Sequence, residues 1–386
     1  MNLFTYNDDW QEIRDSIKKI CLKYPESYWR KLDQSREYPS GFVEEITKSG
    51  FLSVLIPEKF NGAGLPLRAA SIILEEIHRS GGNGAACHAQ MYIMGSLLKY
   101  GSNDLKAKYL PAISKGSIRL QAFGVTEPTS GTDTSSIKTT AIKNKNKYII
   151  NGQKIWTSRA EHSDLILLLA RTSKNIKKVK ESLSLFLIDM RPFLNKQIKI
   201  NPIRTMINHS TTEVFFDNLE VDENCLIGRK GKGFNYILDG MNAERILIAA
   251  ECIGDAKYFL EKATKYANER EVFGRPIGKN QAIQFPLSTS YAKLRAAELM
   301  VIKACELFDK GKNCGEEANL SKLLAAEASW NAAEAAMQTF GGFAFSEEYN
   351  IERKFRETRL YQIAPVSTNM ILAYISHKVL GMPRSY

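Results

Sequence analysis

The sequence predicts an α+β protein in three consecutive segments: an N-terminal helical domain (1–120), a middle β-domain (121–230) and a C-terminal four-helix bundle (231–386). Two changes of hydrophobic period mark these segments, and glycine- and proline-rich turns punctuate them. In the first segment apolar side chains recur at three- and four-residue steps through Ala70, Ile73, Leu74 and Ile77, and again near Tyr92, Leu97 and Leu98. Tyr24-Pro25, Tyr38-Pro39-Ser40-Gly41, Asn61-Gly62-Ala63-Gly64 and Gly81-Gly82-Asn83-Gly84 read as turns.

From about residue 121 the period falls to two. Leu183, Leu185 and Leu187 alternate with Ser184, Phe186 and Ile188, and Val214, Phe216, Leu219 and Val221 continue a strand-like pattern. Tyr148-Ile149-Ile150 leads into Asn151-Gly152, which predicts a hairpin turn before Lys154-Ile155-Trp156. After Gly231-Lys232-Gly233 the helical period returns. Ile246, Ala249, Ala250, Ile253, Ala256, Leu260, Ala263 and Ala267 form one apolar stripe. Two more stripes run about 282–310 and 316–340, and a terminal helix starts near 367, so long helices with apolar faces predict a bundle.

A chain of 386 residues is long enough for several cores. Its longest apolar run, Leu165 to Ala170, is far too short to cross a bilayer, so no membrane association is expected. The start, Met1-Asn2-Leu3-Phe4-Thr5, lacks the charge and apolar pattern of a secretory signal, so a cytoplasmic location is expected. Six scattered cysteines and five dispersed histidines show neither disulfide nor zinc spacing, and no metal site is predicted. Lysine plus arginine (53) exceeds aspartate plus glutamate (42), giving a net charge of +11 that favours anionic partners. The densest basic cluster, Lys174 to Lys180, reads as a solvated hairpin loop, and nucleic-acid binding is not expected.

Chemistry concentrates in a few segments. Gly124-Val125-Thr126-Glu127-Pro128-Thr129-Ser130-Gly131-Thr132-Asp133 is rich in glycine and small hydroxyls, able to bring backbone N–H groups to a phosphate or ring carbonyl; alone it could be a polar turn. It resembles the first signature of the acyl-CoA dehydrogenases. The same is true of Tyr148 to Ser158, of Glu269-Arg270-Glu271-Val272-Phe273-Gly274, and of Gln338-Thr339-Phe340-Gly341-Gly342. A small departure is Ala344, where the last signature usually has glycine.

The resemblance implies FAD as cofactor. Phe123, Val125, Thr126, Gly131 and Thr132 would line it, and Trp156, Thr157 and Ser158 would pack against its ring, Ser158 replacing the usual threonine. Ser367 and Asn369 belong to the same implied set. Arg270, Phe273, Gln281, Gln338 and Gly342 match positions that reach FAD of a neighbouring subunit, which implies a homotetramer. Trp156 could instead be core filling, and Arg270 a surface ion-pair partner.

The implied reaction is α,β-dehydrogenation of an acyl-CoA thioester, with electrons passed to an electron-transfer flavoprotein. Most members take the α-proton with a glutamate near the C-terminus, but Pro365 occupies that place here. Met241-Asn242-Ala243-Glu244-Arg245-Ile246 instead resembles the isovaleryl-CoA and long-chain branches, where the glutamate directly precedes an arginine. Glu244 is therefore the expected base, and Arg245, with Thr132, the expected substrate contact. Glu244 could otherwise simply favour the first turn of a helix. Pro365 also lacks the N–H that relatives aim at the thioester oxygen, so a substitute such as the Val366 N–H is expected. Acyl groups on a carrier protein, a flavin oxidase and a nucleic-acid-binding flavoprotein are the alternatives.

Overall fold

The computed structural model describes residues 3–4, 9–173 and 181–385, so the basic cluster at 174–180 lies outside the described residues. The helices are α1 (Gln11–Leu22), α2 (Glu26–Ser35), α3 (Ser40–Lys48), α4 (Leu67–Arg79), α5 (Ala85–Tyr100), α6 (Asn103–Ser114), α7 (Gly233–Glu269), α8 (Gln281–Asp309), α9 (Gly315–Phe340), α10 (Ile351–Arg359) and α11 (Thr368–Tyr374). The strands are β1 (Leu120–Gly124), β2 (Thr140–Asn144), β3 (Lys147–Ser158), β4 (Leu165–Arg171), β5 (Leu183–Asp189), β6 (Ile198–Pro202), β7 (Thr211–Asp222), β8 (Leu226–Ile227), β9 (Glu271–Val272) and β10 (Arg275–Pro276). Helices, strands and helices thus follow one another in the predicted order.

These elements group into two units, residues 36–65 with 85–241, and residues 1–35, 66–84 and 242–386. The first unit is built on an eight-stranded sheet of order β6-β7-β3-β2-β4-β5-β8, with β1 pairing in parallel with β4. The run Leu165–Ala170 is apolar throughout because β4 is covered on both faces. Leu165, Leu167 and Leu169 join one core with Ala89, Ile93 and Leu97 of α5. Ile166, Leu168 and Ala170 join a second core with Phe186, Ile188 and Val214.

Asn151-Gly152 does not turn. β3 runs straight through it, and the register against β7 shifts between Ile150 and Gly152. Asn151 accepts from the Asn218 N–H at 2.8 Å, and Asn218 is left-handed at φ +47°, so the pair marks a bulge. The hairpin closes earlier, between β2 and β3, where Lys145 takes the left-handed conformation.

In the second unit the predicted stripe of α7 is buried from Ile246 to Ala267. α8 and α9 match the two long predicted stripes closely, and α9 buries a row of alanines, among them Ala325, Ala328, Ala332 and Ala336. Gly254 lets α7 approach α4: a Cβ there would lie 2.3 Å from the Glu75 carbonyl oxygen. Charges buried beside this contact are paired. Lys257 reaches Glu75 and Glu298, each at 2.6 Å, and Arg14 reaches Glu75 at 2.9 Å and Glu76 at 2.8 Å.

A second buried network surrounds His78. Its Nε2 accepts from the Gly84 N–H at 2.9 Å, so the proton sits on Nδ1, which donates to Asp255 at 2.9 Å. Lys354 lies 2.5 Å from Asp255 and 3.1 Å from Glu357, and donates to the Gly82 carbonyl at 3.0 Å. Arg353 bonds Glu357 at 2.8 Å and the Gly81 carbonyl at 2.7 Å. The glycine-rich turn after α4 is therefore held by side chains of α10. Among the described residues no helix is long and apolar enough to cross a membrane.

Candidate active site

The signature loop leaves β1 at Gly124 and is fixed from beneath by β3. Lys154 is fully buried, and its ammonium lies 2.8 Å from Glu127 Oε1 and 3.0 Å from the Val125 carbonyl oxygen. Glu127 also accepts from the N–H groups of Thr139 at 2.9 Å and Lys138 at 2.5 Å. Burial works to raise this carboxyl, but Lys154 and the N–H donors hold it below the usual range. Burial lowers the Lys154 ammonium to about 8 against the pull of Glu127. On the exposed side of this anchor, the N–H groups of Thr126, Gly131 and Thr132 donate to no group among the described residues.

β3 bulges again between Lys154 and Thr157. Trp156 sits in the bulge at φ +59°, a strained conformation for a bulky residue, with its indole 56% exposed. The ring is thus held outward, with much of its surface open to solvent. Ser158, two residues on, is half-buried, while the Thr157 side chain is fully enclosed, so only Trp156 and Ser158 of this trio present their side chains. Phe123, Val125 and Thr126 are half-buried, and Gly131 and Thr132 are exposed. Projecting indole, free N–H groups and hydroxyls together make a donor set that suits a flavin dinucleotide.

In the other unit, Glu244 and Arg245 are both buried near the start of its α7 portion. Burial lowers the Arg245 guanidinium, and Glu244 opposes that shift. Cys314 and Tyr374 also lie within electrostatic reach of it, and so does the Lys322 ammonium. Arg270, Phe273, Gln281, Gln338 and Gly342 are all exposed, Phe273 completely, at the tip of the β9–β10 hairpin. Arg270 stacks over the Phe343 ring at 5.7 Å. Ser367 accepts from the Met370 N–H at 3.4 Å and caps α11, and Asn369 is exposed one residue into that helix.

Three family models cover almost the whole chain: the acyl-CoA dehydrogenase N-terminal domain matches residues 7–117, the middle domain 122–219 and the C-terminal domain 231–380. The chain belongs to the acyl-CoA dehydrogenase family. Acyl-CoA dehydrogenase fadE12 of Mycobacterium bovis is 32% identical, with 99% of each chain covered. The structure of a glutaryl-coenzyme A dehydrogenase–glutaryl-CoA complex matches with a TM-score of 0.91 at 29% identity, covering 99% of this chain and 98% of that one. A chain from a structure described as "Electron transferring flavoprotein of Acidaminococcus fermentans" matches with a TM-score of 0.92 at 29% identity, covering 98% and 99%. An acyl-CoA dehydrogenase is an oxidoreductase with FAD as its cofactor.

Sequence reasoning gave no role to Glu127 and Lys154, although both lie inside quoted motifs. The available signal was a lysine at an inward position of an alternating strand. Lys322 carried no local signal at all.

Proposed function

We propose that this acyl-CoA dehydrogenase carries out α,β-dehydrogenation of an acyl thioester, with Glu244 removing the α-proton. The carrying observation is the burial of the Glu244 carboxylate beside the Arg245 guanidinium, while Pro365 offers no ionisable group at the alternative position. It supports the reading that this chain uses a glutamate directly before an arginine as its base. Enclosure keeps competing water from the carboxylate, and Arg245 offers a cation to the substrate, together with Thr132. Bound FAD would supply the acceptor for the β-hydride.

The residues that would hold the cofactor are Phe123, Val125, Thr126, Gly131, Thr132, Trp156, Ser158, Ser367 and Asn369; Thr157, expected beside the ring from the motif, is 0% exposed and its side chain is not available to it. Trp156 and Ser158 would present side chains to the ring, and the N–H groups of Thr126, Gly131 and Thr132 would face its polar edge or phosphates. The exposure of Arg270, Phe273, Gln281, Gln338 and Gly342 supports their use by a neighbouring subunit, hence a homotetramer. In this reading the chain divides at about 120 and 230, works in the cytoplasm and passes electrons to an electron-transfer flavoprotein. The net charge of +11 also suits an acidic carrier protein bearing the acyl substrate.

Anaerobic titration of the purified yellow protein with a panel of CoA thioesters tests this. The best substrate should bleach the flavin, and the Glu244→Gln variant should retain the cofactor but lose bleaching. Full bleaching by that variant rules out Glu244 as the base, and a protein that binds no flavin rules out the whole reading.

A further inference from the structure

Lys322 lies on α9 with its side chain fully enclosed, and its ammonium donates to the Val366 carbonyl oxygen at 2.8 Å. It makes no ion pair with a carboxylate among the described residues. Its charged and titratable neighbours are Cys252 and Arg245, both on α7. Burial lowers the ammonium to about 8, Cys252 opposes the shift and Arg245 adds to it. A buried cation with one carbonyl acceptor and a guanidinium nearby is a poor stabilising device, and an apolar residue of similar length fits such a place at little or no cost. A residue held against that gradient calls for a functional account.

The carbonyl it holds lies in a segment with few other ties. Ala364 N–H bonds back to Leu360 at 2.9 Å, and the Thr368 hydroxyl bonds to the Gln362 carbonyl at 3.2 Å. Ser367 then caps α11. Both ends are thus fastened locally. Among the described residues, the Lys322–Val366 bond is the one hydrogen bond that ties residues 363–367 to a different helix.

We propose that Lys322 is a positioning residue, whose grip on the Val366 carbonyl fixes where α11 begins and so places Ser367 and Asn369 for catalysis. The catalytic consequence rests on the function proposed above; the tether itself does not.

Two variants of the flavin-loaded enzyme test this. Lys322→Met removes the donor, and Lys322→Gln keeps an N–H without the charge. Thermal unfolding of Lys322→Met should be unchanged or shifted upward. Amide exchange over residues 366–371 should accelerate about tenfold or more while the rest of α9 stays protected. Bleaching at saturating thioester should slow by about tenfold or more, as expected of a displaced loop. Lys322→Gln should recover part of both. Unchanged exchange in Lys322→Met overturns the tether. Faster exchange with an unchanged bleaching rate overturns the catalytic role, and a lowered midpoint with exchange faster throughout makes Lys322 structural only. Failure of every thioester to bleach the wild-type enzyme would instead reject the function proposed above, with the exchange comparison still deciding on the tether.

Discussion

The ammonium of Lys154 lies 2.8 Å from the Glu127 carboxylate, and 0% and 5% of the two side chains are exposed. That bond stitches the signature loop to the strand carrying Trp156. Lys154→Met would strand a buried carboxylate, for which roughly 3 kcal/mol of stability is expected to be lost. The Lys154→Met/Glu127→Met double variant should recover much of that loss, because an apolar pair of similar volume replaces an enclosed ion pair. It should not recover FAD retention, since the Val125 carbonyl and the Lys138 and Thr139 N–H groups still lose their partners. Denaturant unfolding alongside flavin content after gel filtration measures both. Recovery of stability and flavin together would show that the loop needs no such stitch.

Glu357 carries an acid-sensitive part of the stability. Burial alone would raise its carboxyl, but Arg353 at 2.8 Å and Lys354 at 3.1 Å outweigh burial and hold it down to about 2. Between about 4.3, the unfolded value, and about 2, the unfolded chain binds more protons, so the contribution is present above this window and is lost as pH falls through it. Glu357→Gln should cost roughly 3 kcal/mol at neutral pH and give a flatter stability profile through the same acid window. Urea unfolding of both proteins across that range is the measurement. Parallel profiles would place the acid-labile group elsewhere.

Most of the fold was legible because its signals are local and periodic. The α7 stripe is buried residue for residue, and the α8 and α9 stripes end within a residue or two of their helices. What escaped depends on partners distant in sequence. Asn151-Gly152 has the composition of a turn, but Asn218 on β7 claims the Asn151 side chain and keeps the chain extended. His78 and Asp255, 177 residues apart, meet in a network that no period announces. In the candidate site, the motifs pointed to Trp156, and the proline at 365 pointed to Glu244, whose side chain is buried. Lys154 and Lys322 became visible only with the strand faces and helix contacts in place.

Gly152 should tolerate no side chain. Its φ of +148° is open to glycine and few others, and a Cβ would lie 2.5 Å from the Thr139 hydroxyl and 2.7 Å from the Thr139 Cα. Backbone crowding of that kind cannot relax by a rotamer change, so Gly152→Ala is expected to cost roughly 2 kcal/mol or more. The thermal midpoint of the apoprotein measures it. A midpoint equal to wild type would mean that the bulge can move to a neighbouring residue.

Trp156 separates stability from cofactor retention. A left-handed backbone at a bulky residue costs roughly 1–2 kcal/mol, which Trp156→Gly would release. Against this, the variant loses the packing of an indole that is 56% exposed, a comparable quantity of the opposite sign, together with added chain entropy in the unfolded state. The two sides nearly cancel, so the apoprotein midpoint should stay within a few degrees of wild type. FAD affinity has no such compensation: the ring that the bulge holds outward is gone, and about tenfold or weaker binding is expected from the loss of aromatic stacking alone. Apoprotein melting and fluorescence titration with FAD would test the two halves independently. Affinity that survives the substitution would mean that the strain at Trp156 serves the sheet and not the flavin.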